Sequence, residues 1–288
     1  MKKYQIIIES AGSKILIRSD NKIFIDGIKK SSFLPRYIPG FSIIEKAKKN
    51  DCILDLKKGK KSFFLNYPRA IYSNSKYDDK DTISLIEFFL ERAREDRGTY
   101  CIHSSSAIVE KKGVVFWGGW SGMGKTRLAL ALGEKYGADT YSDEKTLLDL
   151  KKNLIVGGIN TAYLSKSSLI DSHEGRSFHE FSKLEGNFSI GFFVSPQIEE
   201  TGELFVEKWD NNKFDWHLYE ELSRKIRGTS RRFFSNTTPV DSLDSSATAQ
   251  KRSNIIKRYT KITPCFYMRG REEDICNKIV ELLRGLNS

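Results

Sequence analysis

The run Gly119-Trp120-Ser121-Gly122-Met123-Gly124-Lys125-Thr126 matches G-x-x-x-x-G-K-[ST] in full. A turn of this spacing aims a row of backbone N–H groups and the start of a helix at one spot, and a polyphosphate is what such a spot binds. All eight residues are therefore candidate nucleotide contacts, with Lys125 reaching the β and γ phosphates and the Thr126 hydroxyl holding Mg²⁺. Upstream stands His103, and downstream the neighbouring acids Asp143 and Glu144. Phosphoryl transfer needs a phosphate cradle, charge neutralisation by Mg²⁺ and a group that orients or deprotonates the nucleophile. A carboxylate beside a bound metal and a substrate hydroxyl is a suitable base.

Elements of the right kind surround the glycine turn. Val114-Val115-Phe116-Trp117 reads as a short buried strand and residues 127–136 as a helix, whose Gly133 is expected to weaken it near its end. Before them, Thr99 to Val109 reads as one strand and Glu110 to Gly113 as a tight turn, a hairpin that brings His103 back towards the phosphate end of the next strand. In that turn Glu110 is expected to face solvent. After the helix, residues 137–144 read as a second strand ending in Asp143 and Glu144. On the residues alone, His103 also reads as a packed strand histidine, and the two acids as a solvated strand end.

The arrangement resembles the C-terminal domain of HPr kinase/phosphorylase, whose P-loop fold is shared with ATP-dependent phosphoenolpyruvate carboxykinase. The resemblance rests on His-Ser-Ser-Ser-Ala at 103–107, Ser-Gly-Met-Gly-Lys-Thr at 121–126 and Ser-Asp-Glu at 142–144. It covers residues 99–150 well and the rest in outline. It implies that Lys125 and Thr126 contact phosphate and Mg²⁺, that Asp143 is the general base and that Glu144 is a metal contact where the family has Asp. His103 would then lie near the metal and the γ-phosphate. Such kinases are often oligomeric. The family's Glu-x-Arg-Gly segment has its nearest counterpart in Ile155-Val156-Gly157-Gly158-Ile159, which carries neither the acid nor the arginine, so a relative with a different acceptor is expected.

Organisation and composition agree with that reading. Residues 1–80 form a small β-rich module with strands expected at Tyr4–Glu9, Lys14–Ser19, Lys22–Asp26, Phe41–Lys46, Cys52–Asp55 and Ser62–Asn66. Asp20-Asn21 and Lys58-Gly59-Lys60 read as hairpin turns. Residues 81–288 would then be the α/β kinase domain, a mixed sheet flanked by helices. It begins with a helix over 82–97 that sets Ile83, Ile86, Phe89, Leu90 and Ala93 against a charged face of Glu87, Glu91, Arg92, Arg94 and Glu95, and Gly98 ends it. No apolar stretch approaches the roughly 18 to 20 residues of a membrane span, and Cys52, Cys101, Cys265 and Cys276 are scattered, which points to free thiols in a cytoplasmic protein.

The formal charge of +11 lies in runs such as Lys46-Ala47-Lys48-Lys49 and Lys57-Lys58-Gly59-Lys60-Lys61, read as solvated turns. No zinc-finger or RNP-type signature accompanies them. Further along, strands are expected at 187–195 and 203–209, helices at 214–227, 245–261 and 272–286, and a strand at 262–268. Arg227, Arg231 and Arg232 read either as phosphate contacts or as a basic helix end. His173-Glu174 and His179-Glu180 lack metal-site spacing and are assigned to a loop.

Two function classes follow. The first is ATP-dependent transfer of the γ-phosphate to a hydroxyl acceptor, a serine in a protein or peptide or a small molecule, with Mg²⁺ and a carboxylate base. The alternative is a P-loop NTPase or nucleotide-dependent switch acting on nucleic acid or a partner protein, motivated by the basic charge.

Overall fold

The computed structural model describes residues 3–118, 122–165, 176–181, 184–227, 232–233 and 238–286. Contacts divide the chain into two compact units, Met1–Tyr100 with Glu220–Arg252, and Cys101–Tyr219 with Ser253–Ser288. Both combine mixed β-sheet with helices, an α/β architecture.

In the first unit, β1 (Tyr4–Ser10) and β2 (Ser13–Ser19) form a hairpin over the two residues Ala11 and Gly12, both at positive φ. The segment at Lys22 is not the expected strand but the start of helix α1 (Lys22–Lys30). Asn21 explains the difference. Its side chain accepts from Ile23 N at 3.0 Å, so Asp20-Asn21 starts a helix instead of closing a hairpin. Phe24, Ile25 and Ile28 then recur at helical spacing and are buried. After α2 (Leu34–Tyr37) come β3 (Phe41–Ile44), β4 (Cys52–Lys58), β5 (Ser62–Asn66) and β6 (Arg69–Asn74), giving a sheet in the order β3-β1-β2-β4-β6-β5. Lys58-Gly59-Lys60 therefore does not join paired strands, because β6 lies between β4 and β5, parallel to the first and antiparallel to the second.

Helix α3 (Asp79–Arg97) begins earlier than its apolar periodicity because Asp78 caps it, accepting from Asp81 N at 3.0 Å. Leu85, Phe88 and Phe89 pack with Ile8, Ile15, Leu54 and Phe24 in one core. The helix is not amphipathic with a solvated charged face: Glu87, Glu91, Arg94 and Glu95 are buried as well. Arg94 pairs with Glu91 at 2.9 Å and donates to Ser10 Oγ at 2.6 Å, and Glu95 accepts from Arg252 Nε at 2.7 Å. Buried charges persist because they are paired.

The second unit is built on an eight-stranded sheet. Its elements follow as β7 (Thr99–Ile102), β8 (Ser104–Val109), β9 (Lys112–Trp117), α4 (Lys125–Tyr136), β10 (Asp139–Asp149), β11 (Leu154–Ile159), β12 (Thr161–Ser165), β13 (Arg176–Glu180), β14 (Phe188–Ile198), β15 (Phe205–Lys208) and α5 (Asn211–Ser223). The short β16 (Arg232–Phe233) and β17 (Thr238–Pro239), which belong to the first unit, pair with each other, and α6 (Ser246–Tyr259), β18 (Cys265–Gly270) and α7 (Glu272–Gly285) complete the chain. The sheet order is β11-β10-β8-β9-β14-β18-β15, with β7 beside β10. β9, β14 and β18 are parallel, whereas β8 is antiparallel to both of its neighbours, β9 and β10.

Helices cover both faces of this sheet. On one, Val114, Phe116, Phe192, Val194 and Met268 pack with Leu128 and Leu132 of α4 and with Ile275, Ile279 and Leu283 of α7. On the other, Trp117 and Phe193 meet Phe214 of α5 at ring separations of 5.5 and 5.2 Å, and Phe193 meets Tyr259 of α6 at 6.0 Å. Coverage of both faces explains why β9 is apolar without alternation. All four cysteines are buried and free. Among the described residues no helix is long and apolar enough to cross a membrane.

Candidate functional site

Strand β9 delivers the chain to the glycine turn. Gly119, Trp120 and Ser121 lie outside the described residues; Gly122, Met123 and Gly124 lead directly into α4, which opens at Lys125 and Thr126. Gly124 stands at φ 104, and a Cβ there would lie 2.4 Å from Ile198 Cδ1, because the turn passes against the end of β14. Ile198 N also donates to Met123 O at 3.2 Å. The Lys125 side chain is buried and folds back along the turn, with Nζ 3.3 Å from Gly118 O. Gly133 does not shorten the helix, which continues to Tyr136; it permits close passage of Ala138, whose carbonyl oxygen would be 3.1 Å from an added Cβ.

The other wall of the site comes from β8 and β10. The expected single strand over 99–109 breaks at His103 into β7 and β8. Glu110 and Lys111, at φ 48 and 67, form the two-residue turn into β9, and Glu110 is exposed. This hairpin pairs Ser104 with Trp117, so His103 sits beside the end of β9 that leads into the glycine turn. Strand β10 does not end at its acids. It runs on to Asp149 through an irregularity between Asp143 and Thr146, where Glu144 takes a positive φ of 61°. Bulges of this kind re-aim side chains, and a non-glycine residue in the left-handed region marks local strain.

Asp143 is brought to α4 across β8. Thr126 Oγ1 donates to Asp143 Oδ1 at 2.8 Å, and Ser105 Oγ donates to the same oxygen. The two hydroxyls are 3.5 Å apart. Asp143 is only 2% exposed, and its second oxygen, Oδ2, is buried with no hydrogen-bond partner among the described residues. Burial raises the proton affinity of this carboxyl and the negative charge of Glu144 adds to the effect, while the bonds from Ser105 and Thr126 oppose it. An unpaired buried carboxylate oxygen is costly in free energy.

His103 and Glu144 form the outer part of the site. His103 Nδ1 lies 2.9 Å from Glu144 O and 3.5 Å from Glu144 Oε2, and both side chains are roughly two-fifths exposed, at 43% and 42%. Four of the candidate residues are thus joined in two contacts, Thr126 with Asp143 and His103 with Glu144. The hydroxyl of Thr126 and the carboxylate of Glu144 are hard oxygen donors, the kind Mg²⁺ takes. Among the described residues no three His, Cys, Asp or Glu side chains form a metal cage; Mg²⁺ bound to nucleotide needs only one or two carboxylates beside the phosphates.

The remaining candidates lie elsewhere. His173, Glu174 and Arg231 are outside the described residues, while His179 and Glu180 are in β13. Arg227 lies beyond the end of α5, 3.4 Å from Glu220. Ser105 was given no role by sequence, although it stands in the His-Ser-Ser-Ser run. Which of three consecutive serines faces α4 depends on strand register, and the sequence does not display register. No protein-family model matches the chain, and no curated protein matches it.

Proposed function

We propose that the chain is an ATP-dependent phosphotransferase of the HPr kinase P-loop type, which moves the γ-phosphate to a hydroxyl of a protein, a peptide or a small molecule. The observation that carries this reading is Asp143: a buried carboxylate tied to the Thr126 hydroxyl at 2.8 Å, with its second oxygen unpartnered. A general base needs a proton affinity closer to neutrality than an exposed carboxylate has, and burial moves Asp143 in that direction.

In this mechanism the glycine turn and the N-terminus of α4 bind the phosphates, and Lys125 neutralises the β and γ oxygens. Thr126 and Glu144 are the residues that would hold Mg²⁺, which when bound would neutralise charge on the transferring phosphate. His103 fixes Glu144 through its backbone and side-chain contacts. Asp143 Oδ2 accepts the proton of the acceptor hydroxyl as that oxygen bonds to the γ-phosphorus and the bond to the β–γ bridging oxygen breaks, releasing ADP. Buried free cysteines fit a reducing cytoplasm.

The test is incubation with γ-labelled ATP and a cell extract separated into protein and small-molecule fractions. Label should enter one fraction in a Mg²⁺-dependent manner, and that fraction identifies the acceptor class. Absence of label in both, together with ATP hydrolysis stimulated by DNA or RNA, would assign the chain to the NTPase class instead.

A further inference from the structure

We propose that Ser105 is a positioning residue for the proton-accepting carboxylate: it holds Asp143 through Oδ1 so that Oδ2 points to the reacting hydroxyl. The inference rests on the reading of Asp143 as the base. An aspartate side chain has two rotatable bonds, and one hydrogen bond leaves the second oxygen free to swing. Two donors at Oδ1, one from α4 and one from β8, leave a single orientation. Thr126 has a second task in the proposed mechanism, at the metal, whereas Ser105 has none, and it is 1% exposed.

The opposite face of the same strands shows what fixes Ser105 itself. Its neighbours Ser104 and Ser106 point the other way and join a buried chain of hydroxyls: Ser104 Oγ donates to Thr146 Oγ1 at 2.7 Å, Thr146 lies 2.6 Å from Ser142 Oγ, and Ser142 lies 2.6 Å from Ser106 Oγ. All four are fully buried. This chain spans the irregular part of β10 from Ser142 to Thr146 and ties it to β8 on both sides of Ser105. The bulge that aims Asp143 and the strand that carries Ser105 are therefore held in one register, and buried polar networks of this kind specify a single arrangement when every member is satisfied.

The experiment measures phosphoryl transfer and the slow hydrolysis of ATP by water in wild type, Ser105→Ala, Asp143→Asn and the double variant. Ser105→Ala should lower kcat for transfer by about tenfold to a hundredfold, the scale of a misplaced catalytic group, while the dissociation constant for ATP stays within about twofold. In the Asp143→Asn background the same substitution should change the residual rate by less than about twofold, because its effect runs through the carboxylate. If Ser105→Ala fails to fold, Ser105→Cys, close in size and a weak donor, should fold with an intermediate kcat.

A foldable Ser105 variant with wild-type kcat overturns the proposal. An equal loss in both backgrounds overturns it too, because a merely structural role would act without Asp143. A wild-type protein that neither transfers phosphate nor hydrolyses ATP overturns the underlying reading and this inference with it, so the two failures are distinguishable.

Discussion

Thr126 and Asp143 are joined by a 2.8 Å hydrogen bond that links the first turn of α4 to the bulge of β10 across an intervening strand. The residue expected to hold the metal and the residue expected to take the proton thus meet directly. Binding and chemistry should separate by substitution at this junction. Asp143→Asn keeps the shape of the side chain and its ability to accept from Thr126, so ATP binding should persist while transfer falls by at least about a hundredfold, the range typical of losing a general base. Lys125→Ala should instead weaken nucleotide binding itself, by about tenfold or more. Calorimetric titration with ATP beside a transfer assay distinguishes the two, and full transfer by Asp143→Asn would falsify the base assignment.

The close approach of Gly124 to Ile198 predicts a packing defect with a partial remedy. Gly124→Ala adds a Cβ where Ile198 Cδ1 already stands, in a backbone conformation at φ 104 that L residues avoid. Destabilisation of about 1–3 kcal/mol is expected. Adding Ile198→Ala removes the clash and should recover part of that loss, leaving the backbone strain. Denaturant unfolding of the single and double variants provides the comparison; purely additive losses would show that the two residues do not interact.

Strain at Glu144 has the opposite sign. Its φ of 61° costs a non-glycine residue about 1 kcal/mol, so Glu144→Gly should raise the unfolding midpoint or leave it unchanged. The same substitution removes the carboxylate beside His103 and should raise the Mg²⁺ concentration needed for transfer and lower its rate. Stability gained with activity lost is the expected pattern where a functional side chain is held in a strained conformation. A variant that loses stability would mean that the bulge depends on the Glu144 side chain.

In the first unit, burial pushes the Glu95 carboxyl up from about 4.5 to about 7, despite the Arg252 guanidinium 2.7 Å away. The folded protein retains this proton over a range where the unfolded chain releases it. Its contribution to stability is therefore fully present below about pH 4.5 and is lost as pH rises through about 7. Thermal midpoints should fall across this window in the wild type, and Glu95→Gln should flatten the fall. Identical slopes in the two proteins would place the titration elsewhere.

Local features were the legible ones. The glycine turn, the apolar run of β9 and the helix after it are contiguous, and their spacing is their mechanism. The hydrogen bond between Thr126 and Asp143 was less accessible, because it depends on β8 lying between the strands that carry the two ends of the site. Lys22–Asp26 illustrates the limits of periodicity: Ile23, Phe24 and Ile25 suit a strand or a buried helix, and the cap at Asn21 decides between them. Along α3, residues such as Glu95 and Arg94 look like a solvated face until their partners, Arg252 and Ser10, are brought in from distant parts of the chain.

The two-residue turn at Glu110 and Lys111 lies at the far end of β8 and β9, about 17 Å of strand from the chemistry. By the usual standards of surface loops it is the most permissive place for an extra residue. Yet inserting one there while α4 and β9 stay fixed would slide β8 by a single position, turning Ser105 away and presenting Ser104 or Ser106 in its place. The length of an exposed turn must therefore agree with the buried hydroxyl chain on the register that brings Ser105 to the acid.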